Sequence, residues 1–125
     1  MTSAGLCVVE IERVAAAEKR FGGRFLRRVY TRAELAYCGA GAARAQRLAA
    51  RFAAKAALRA AMRQAGLRPL PYRLIEVERD KWGMPRLAPS APLPRGSVAL
   101  LSLSHTRTLA AGYAVIAPAG GGARG

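Results

Sequence analysis

Apolar and polar positions along the chain follow two periods in turn. Residues 6–11, Leu-Cys-Val-Val-Glu-Ile, form a short β-branched run after Gly5 and predict a buried strand. In an extended backbone Cys7, Val9 and Ile11 point one way, and Val8, Glu10 and Glu12 the other. Residues 12–21 are Ala-rich and charged and predict a short helix that Gly22-Gly23 ends. Thr31-Arg32-Ala33-Glu34 reads as a capping box, opening a helix that runs to Cys38 and stops at Gly39. Residues 42–65 are the longest helical stretch, with a moderately apolar face of Leu48, Phe52, Leu58, Met62 and interspersed Ala. After the Gly66–Pro71 loop, residues 72–79 alternate as a half-exposed strand, and Trp82-Gly83-Met84-Pro85 turns into residues 86–88 to make a hairpin. Residues 97–104 and 110–116 predict two more strands around a turn at His105–Thr108. The order β-α-α-α-β-β-β-β predicts an α+β domain with helices packed on an antiparallel sheet. That domain spans residues 5–117, and the Gly/Ala-rich tail 118–125 is expected to be disordered.

Composition narrows the chemistry. The 125 residues carry 21 Lys+Arg against 7 Asp+Glu, a formal charge of +14, so an acidic partner is expected. Eighteen of the 21 basic residues are Arg, and 28 residues are Ala, a bias to which GC-rich coding contributes. Seven acids leave few ways to gather oxygen ligands around a hard cation, and two Cys with one His make no four-ligand zinc site. No run reaches 18 apolar residues and the amino terminus lacks a signal-peptide pattern, which predicts a cytoplasmic chain with no membrane partner. Arg44, Arg47, Arg51, Lys55, Arg59 and Arg63 recur along one edge of the long helix, either as a solvated face or as an anion-binding ridge. Without aromatic stacking platforms or a helix-turn-helix pattern, a nucleic-acid partner is not expected.

Five segments then occur in one order: Gly5…Val8-Val9-Glu10-Ile11, Arg28-Val29-Tyr30-Thr31-Arg32-Ala33-Glu34-Leu35, Arg51-Phe52-Ala53-Ala54-Lys55, Ile75-Glu76-Val77…Gly83-Met84-Pro85, and Ser102-Leu103-Ser104-His105-Thr106. Together they resemble the holo-acyl-carrier-protein synthases, small 4′-phosphopantetheinyl transferases. The resemblance covers residues 5–117. It implies that family's fold, a homotrimer with sites between subunits, coenzyme A as phosphopantetheine donor, Mg²⁺ on its pyrophosphate, and an acidic acyl carrier protein as partner.

The chain departs from the pattern at the metal. Cys7 stands where the family has a metal-binding Asp, and Ala56 where it has a metal-binding Glu. Ala60 replaces a Lys, and Arg63-Gln64-Ala65 replaces the Gly-Thr-Gly turn that approaches phosphate. A thiol and a methyl do not replace carboxylates around a hard cation, so Mg²⁺ is not expected and no metal ligand is assigned. The resemblance leaves Lys55, Arg51, Arg59, Ser104 and His105 as residues for coenzyme A or a phosphopantetheine arm, and Arg13, Arg20 and Arg24 for the carrier protein. Lys55, His105 and Glu10 are the candidate catalytic groups, Glu10 lying beside the vacated metal position. Three functions follow: a repurposed enzyme on a carrier-bound acyl or polyketide chain (cyclisation, dehydration or isomerisation), a non-catalytic carrier-protein binder, or a transferase with a remodelled metal site.

Overall fold

The computed structural model describes residues 2–120 of the chain. Strand β1 (Ser3–Glu10) leads into helices α1 (Ile11–Phe21), α2 (Gly23–Val29), α3 (Arg32–Cys38) and the long α4 (Arg44–Gln64). A single 3₁₀ turn at Tyr72–Leu74 precedes β2 (Val77–Arg79), β3 (Pro85–Leu87), β4 (Ser97–His105) and β5 (Leu109–Pro118). The main sheet has the order β1-β5-β4 and is antiparallel throughout, and β2-β3 form a separate two-stranded hairpin.

Small residues set how α4 lies on the sheet. Ala49, Ala53, Ala54, Ala57 and Ala61 are all fully buried. Opposite them stand glycines: a Cβ added to Gly5 would sit 2.0 Å from the Ala57 carbonyl oxygen, and one on Gly112 would sit 2.4 Å from Ala53 backbone atoms. The backbones are thus in direct contact, a separation that no larger side chain permits. Two apolar clusters flank this seam. One gathers Ile11, Val14, Val29, Tyr30, Cys38 and Leu48, the other Leu58, Met62, Ile75 and Ile116.

Three expectations change. The Gly22-Gly23 pair ends α1 at Phe21 as expected, but a further helix follows at once. Gly22, at φ 55°, turns the chain, and Gly23 opens α2, which the sequence pattern does not announce. Residues 72–79 form only a three-residue strand, because the Leu74 and Ile75 N–H groups close a 3₁₀ turn on the Pro71 and Tyr72 carbonyls, and Lys55 takes the Tyr72 carbonyl as well. Finally, the first residues expected in the tail are tied to the sheet. Pro118 belongs to β5, and the Ala119 N–H donates to the Gly96 carbonyl at 2.6 Å, while residues 121–125 lie outside the described residues.

The sheet face away from α4 is apolar and open. Leu6, Val8, Leu100 and Tyr113 stand 65, 57, 67 and 48% exposed. Among the described residues no helix is long and apolar enough to cross a membrane.

Candidate functional site

Sheet register fixes which side chains share a face. Cys7 pairs with Gly112 and His105 with Ala110, on the side α4 covers, whereas Glu10 pairs with Leu109 and Ser104 with Ala111 on the open side. Glu10 and His105 therefore sit at one end of the sheet on opposite faces, with β5 between their strands. His105 is exposed, its Nδ1 3.1 Å from the Thr106 carbonyl oxygen. The Thr106 hydroxyl accepts from the N–H groups of Thr108 and Leu109 and tightens the β4–β5 turn.

Lys55 is elsewhere and fully engaged. Its ammonium, 0% exposed, lies 2.6 Å from Glu34 Oε1 and donates to the Val29 carbonyl at 2.6 Å and the Tyr72 carbonyl at 3.1 Å. Glu34 also accepts from Thr31 N, closing the capping box read from sequence, and from Val77 N at 2.7 Å. All three ammonium protons are therefore spoken for. Burial pulls the Lys55 pKa below the usual lysine value, against the opposing pull of Glu34. The candidate catalytic set Lys55, His105 and Glu10 is not brought together. Lys55 joins α4 to the end of α2, the start of α3 and the 3₁₀ turn, and has no donor left for a substrate.

The basic edge of α4 is neither a solvated face nor a continuous ridge. Arg51 is 2% exposed and stacks its guanidinium 4.1 Å from the Tyr37 ring centroid, with its Nε buried and unpartnered. Arg44 forms a forked pair with Glu18 on α1. Arg59 donates to the Leu70 carbonyl and lies 4.7 Å from the Tyr72 ring centroid. Only Arg47 and Arg63 of the six are exposed. Tyr37 is itself open, and Arg79 Nε donates to its hydroxyl at 3.0 Å. Burial raises the Tyr37 pKa, but the Arg79 bond and the neighbouring Arg51 charge outweigh it and bring the net value down. Asp80 is not a free surface acid: its Oδ1 accepts from Trp82 N and Met84 N, both at 2.9 Å, and shapes the hairpin tip.

Arg13 and Arg20 are exposed on α1, seven residues apart, which is about 10 Å along the axis on one face. Arg24 stands exposed at the start of α2 and opens a groove of about 660 Å³ that Arg27, Arg28 and Arg73 also line. Among the described residues none of these four is in an ion pair. Arg27, Arg28 and Arg73 are additions that sequence reading missed. The doublet at 27–28 was visible, but α2 was not, so nothing placed it beside Arg73.

The metal expected from the resemblance does not fit the residues present. Cys7 is half-buried and burial raises its thiol pKa, keeping it protonated and neutral. Ala56 offers no donor atom. Among the described residues no group of three or more His, Cys, Asp or Glu is gathered. A hard cation takes oxygen ligands, and none stands at either matching position.

Sheet, seam and helix order define a known class. The family model of the 4′-phosphopantetheinyl transferase superfamily matches residues 6–115, and the chain belongs to that superfamily. Within it the chain is similar to the holo-acyl-carrier-protein synthases. It is 37% identical to that of Koribacter versatilis over 118 residues, covering 90% of this chain and 94% of the relative. It is 36% identical to that of Chlorobaculum tepidum, covering 91 and 97%. Among solved structures, the synthase–coenzyme A complex of Chronobacterium ammoniagenes superposes with a TM-score of 0.80 at 25% identity, covering 94 and 98%. The Mycobacterium tuberculosis acyl carrier protein synthase gives 0.73 at 28%, covering 93 and 96%.

Proposed function

We propose that this chain docks an acidic acyl carrier protein through the arginines of α1 and α2 and does not transfer phosphopantetheine by the Mg²⁺-dependent route. The observation that carries the second half is the pair Cys7 and Ala56, a neutral thiol and a methyl where the family resemblance implies two carboxylates. Phosphoryl transfer depends on neutralising the charge on the transferring group, and neither side chain holds the cation that would do it. The relatives' names give the carrier protein as the partner, and the exposed Arg13, Arg20 and Arg24 supply bidentate donors for carboxylates on its surface.

Chemistry on a carrier-borne acyl or polyketide chain rests on Lys55, His105 and Glu10. Their separation onto a buried clasp and two sheet faces favours the non-catalytic binder. Of the residues the resemblance leaves for coenzyme A or its pantetheine arm, Lys55 and Arg51 are buried, Arg59 is half-buried, and Ser104 and His105 are exposed on opposite sheet faces. The open apolar sheet face supports assembly into a homotrimer, since isolated small domains rarely leave such area uncovered. The assembly is placed in the cytoplasm with the carrier protein.

The test is an intact-mass assay with apo carrier protein, coenzyme A and Mg²⁺. The expected outcome is no addition of the phosphopantetheine group, together with carrier binding that weakens as salt rises. Reversing charge in Arg13→Glu/Arg20→Glu should lower that affinity by about tenfold or more, mostly through slower association. Phosphopantetheine addition at enzymatic rates overturns the first half, and binding indifferent to salt and to the charge reversal overturns the second.

A further inference from the structure

A second concavity shares Pro71 with the arginine groove and is otherwise lined by different residues. It is an open groove of about 610 Å³ between the C-terminal half of α4 and the loops at 67–71 and 92–94. That volume falls in the range of about 300–1,000 Å³ that accepts small organic ligands. Met62, Leu67, Leu70, Pro92 and Pro94 give it apolar walls, and no carboxylate lines it.

Its polar group is Arg59. The guanidinium is fixed at two points, by donation to the Leu70 carbonyl and by the Tyr72 ring beneath it. Phe52 stacks on the same ring at 5.3 Å and 7° and holds it flat. Yet the Arg59 Nε is buried with no hydrogen-bond partner. That nitrogen is closed off from the groove, so the donor left for a ligand is Nη2, which makes no hydrogen bond and belongs to a side chain lining the groove. Among the described residues Arg59 is in no ion pair. Arg68, exposed at the rim, adds a second positive charge.

We infer that this groove binds a medium-chain aliphatic carboxylate, its chain along the Met62–Leu70 wall and its carboxylate on Arg59. Charge complementarity selects an anion, and the apolar walls select one with a hydrocarbon body. A phosphate dianion fits less well, because one fixed guanidinium and prolines without N–H groups give it too few donors. The inference does not depend on carrier-protein docking, since Arg13, Arg20 and Arg24 do not line this groove.

The experiment is amide NMR of the full chain titrated separately with octanoate, 1-octanol and inorganic phosphate. Octanoate is expected to give saturable shifts confined to Leu67, Arg68, Leu70 and Leu93. Octanol should bind about tenfold more weakly and phosphate should leave these amides unmoved. In Arg59→Gln the octanoate affinity should fall about tenfold while that of octanol stays. The wild-type contrast among the three probes stands even if that variant fails to fold. Absence of saturable octanoate shifts, equal binding of octanol, or displacement of octanoate by phosphate overturns the inference.

Discussion

Tyr30 donates its phenolic hydrogen to the Leu48 carbonyl at 2.8 Å from a site 3% exposed. Burial, reinforced by nearby Cys38 and Glu34, lifts its pKa far above the ordinary value of 10.0. The folded chain therefore keeps this proton where the unfolded chain loses it. The stabilising contribution is complete below pH ~10 and is lost as pH climbs beyond it. Lys55 works in the opposite sense, since its lowered pKa adds stability as pH rises toward 10.5. Tyr30→Phe separates the two. It should cost about 1 kcal/mol at neutral pH and flatten the alkaline decline, read from urea midpoints between pH 7 and 11.5. At this scale the sequence was only partly legible. Glu34 announced its capping role because Thr31 stands three residues before it. Its pairing with Lys55 spans 21 residues and its bond to Val77 spans 43, and no local pattern encodes such separations. For the same reason Lys55 read as a free cation near a phosphate site.

Elements with a strong period were legible and those defined by tertiary partners were not. α4 followed from its Ala-rich helical pattern, and β4 and β5 from their short apolar runs on either side of a turn. Helix α2, seven residues long after a double glycine, depends on packing Phe25, Leu26 and Val29 against the first apolar cluster rather than on propensity. The seam between α4 and the sheet sets the sharpest limit on substitution. Gly112→Ala puts a methyl 2.4 Å from the Ala53 backbone, where neither partner can step aside. It should destabilise by about 3 kcal/mol or more in thermal or urea melts. Gly83→Ala, at φ 82° with open space around it, meets only backbone strain and should cost about 1 kcal/mol. Equal losses at the two sites would remove the close-contact explanation.

For the whole molecule, the open sheet face and the arginine grooves point to different partners. Leu6 pairs with Tyr113 in register, and Leu100 with Val115, so β1, β5 and β4 present one continuous apolar surface. Leu100→Asp should convert a trimer to monomer in sedimentation velocity while circular dichroism stays native, because Leu100 is 67% exposed in the single chain. A wild-type monomer at micromolar concentration would defeat the trimer outright. Much of this scale was legible through the resemblance, which carried fold and family. The arginine groove and the Arg59 groove were not, because each is assembled from segments distant in sequence.

The Glu34–Lys55 clasp also bears on the lifetime of the native state. Its bonds tie the ends of α2 and α3, the middle of α4, the 3₁₀ turn and β2 across 17 to 43 residues. It can close only after those segments have met, so its interactions belong to the last stage of assembly. Bonds absent from the folding transition state govern how fast a protein comes apart rather than how fast it forms. Glu34→Gln, which strands a buried ammonium at a cost of about 3 kcal/mol, should speed unfolding by roughly a hundredfold and leave refolding within about threefold of wild type. Stopped-flow rates in urea would show it, and a matching slowdown of refolding would place the clasp in the folding nucleus instead.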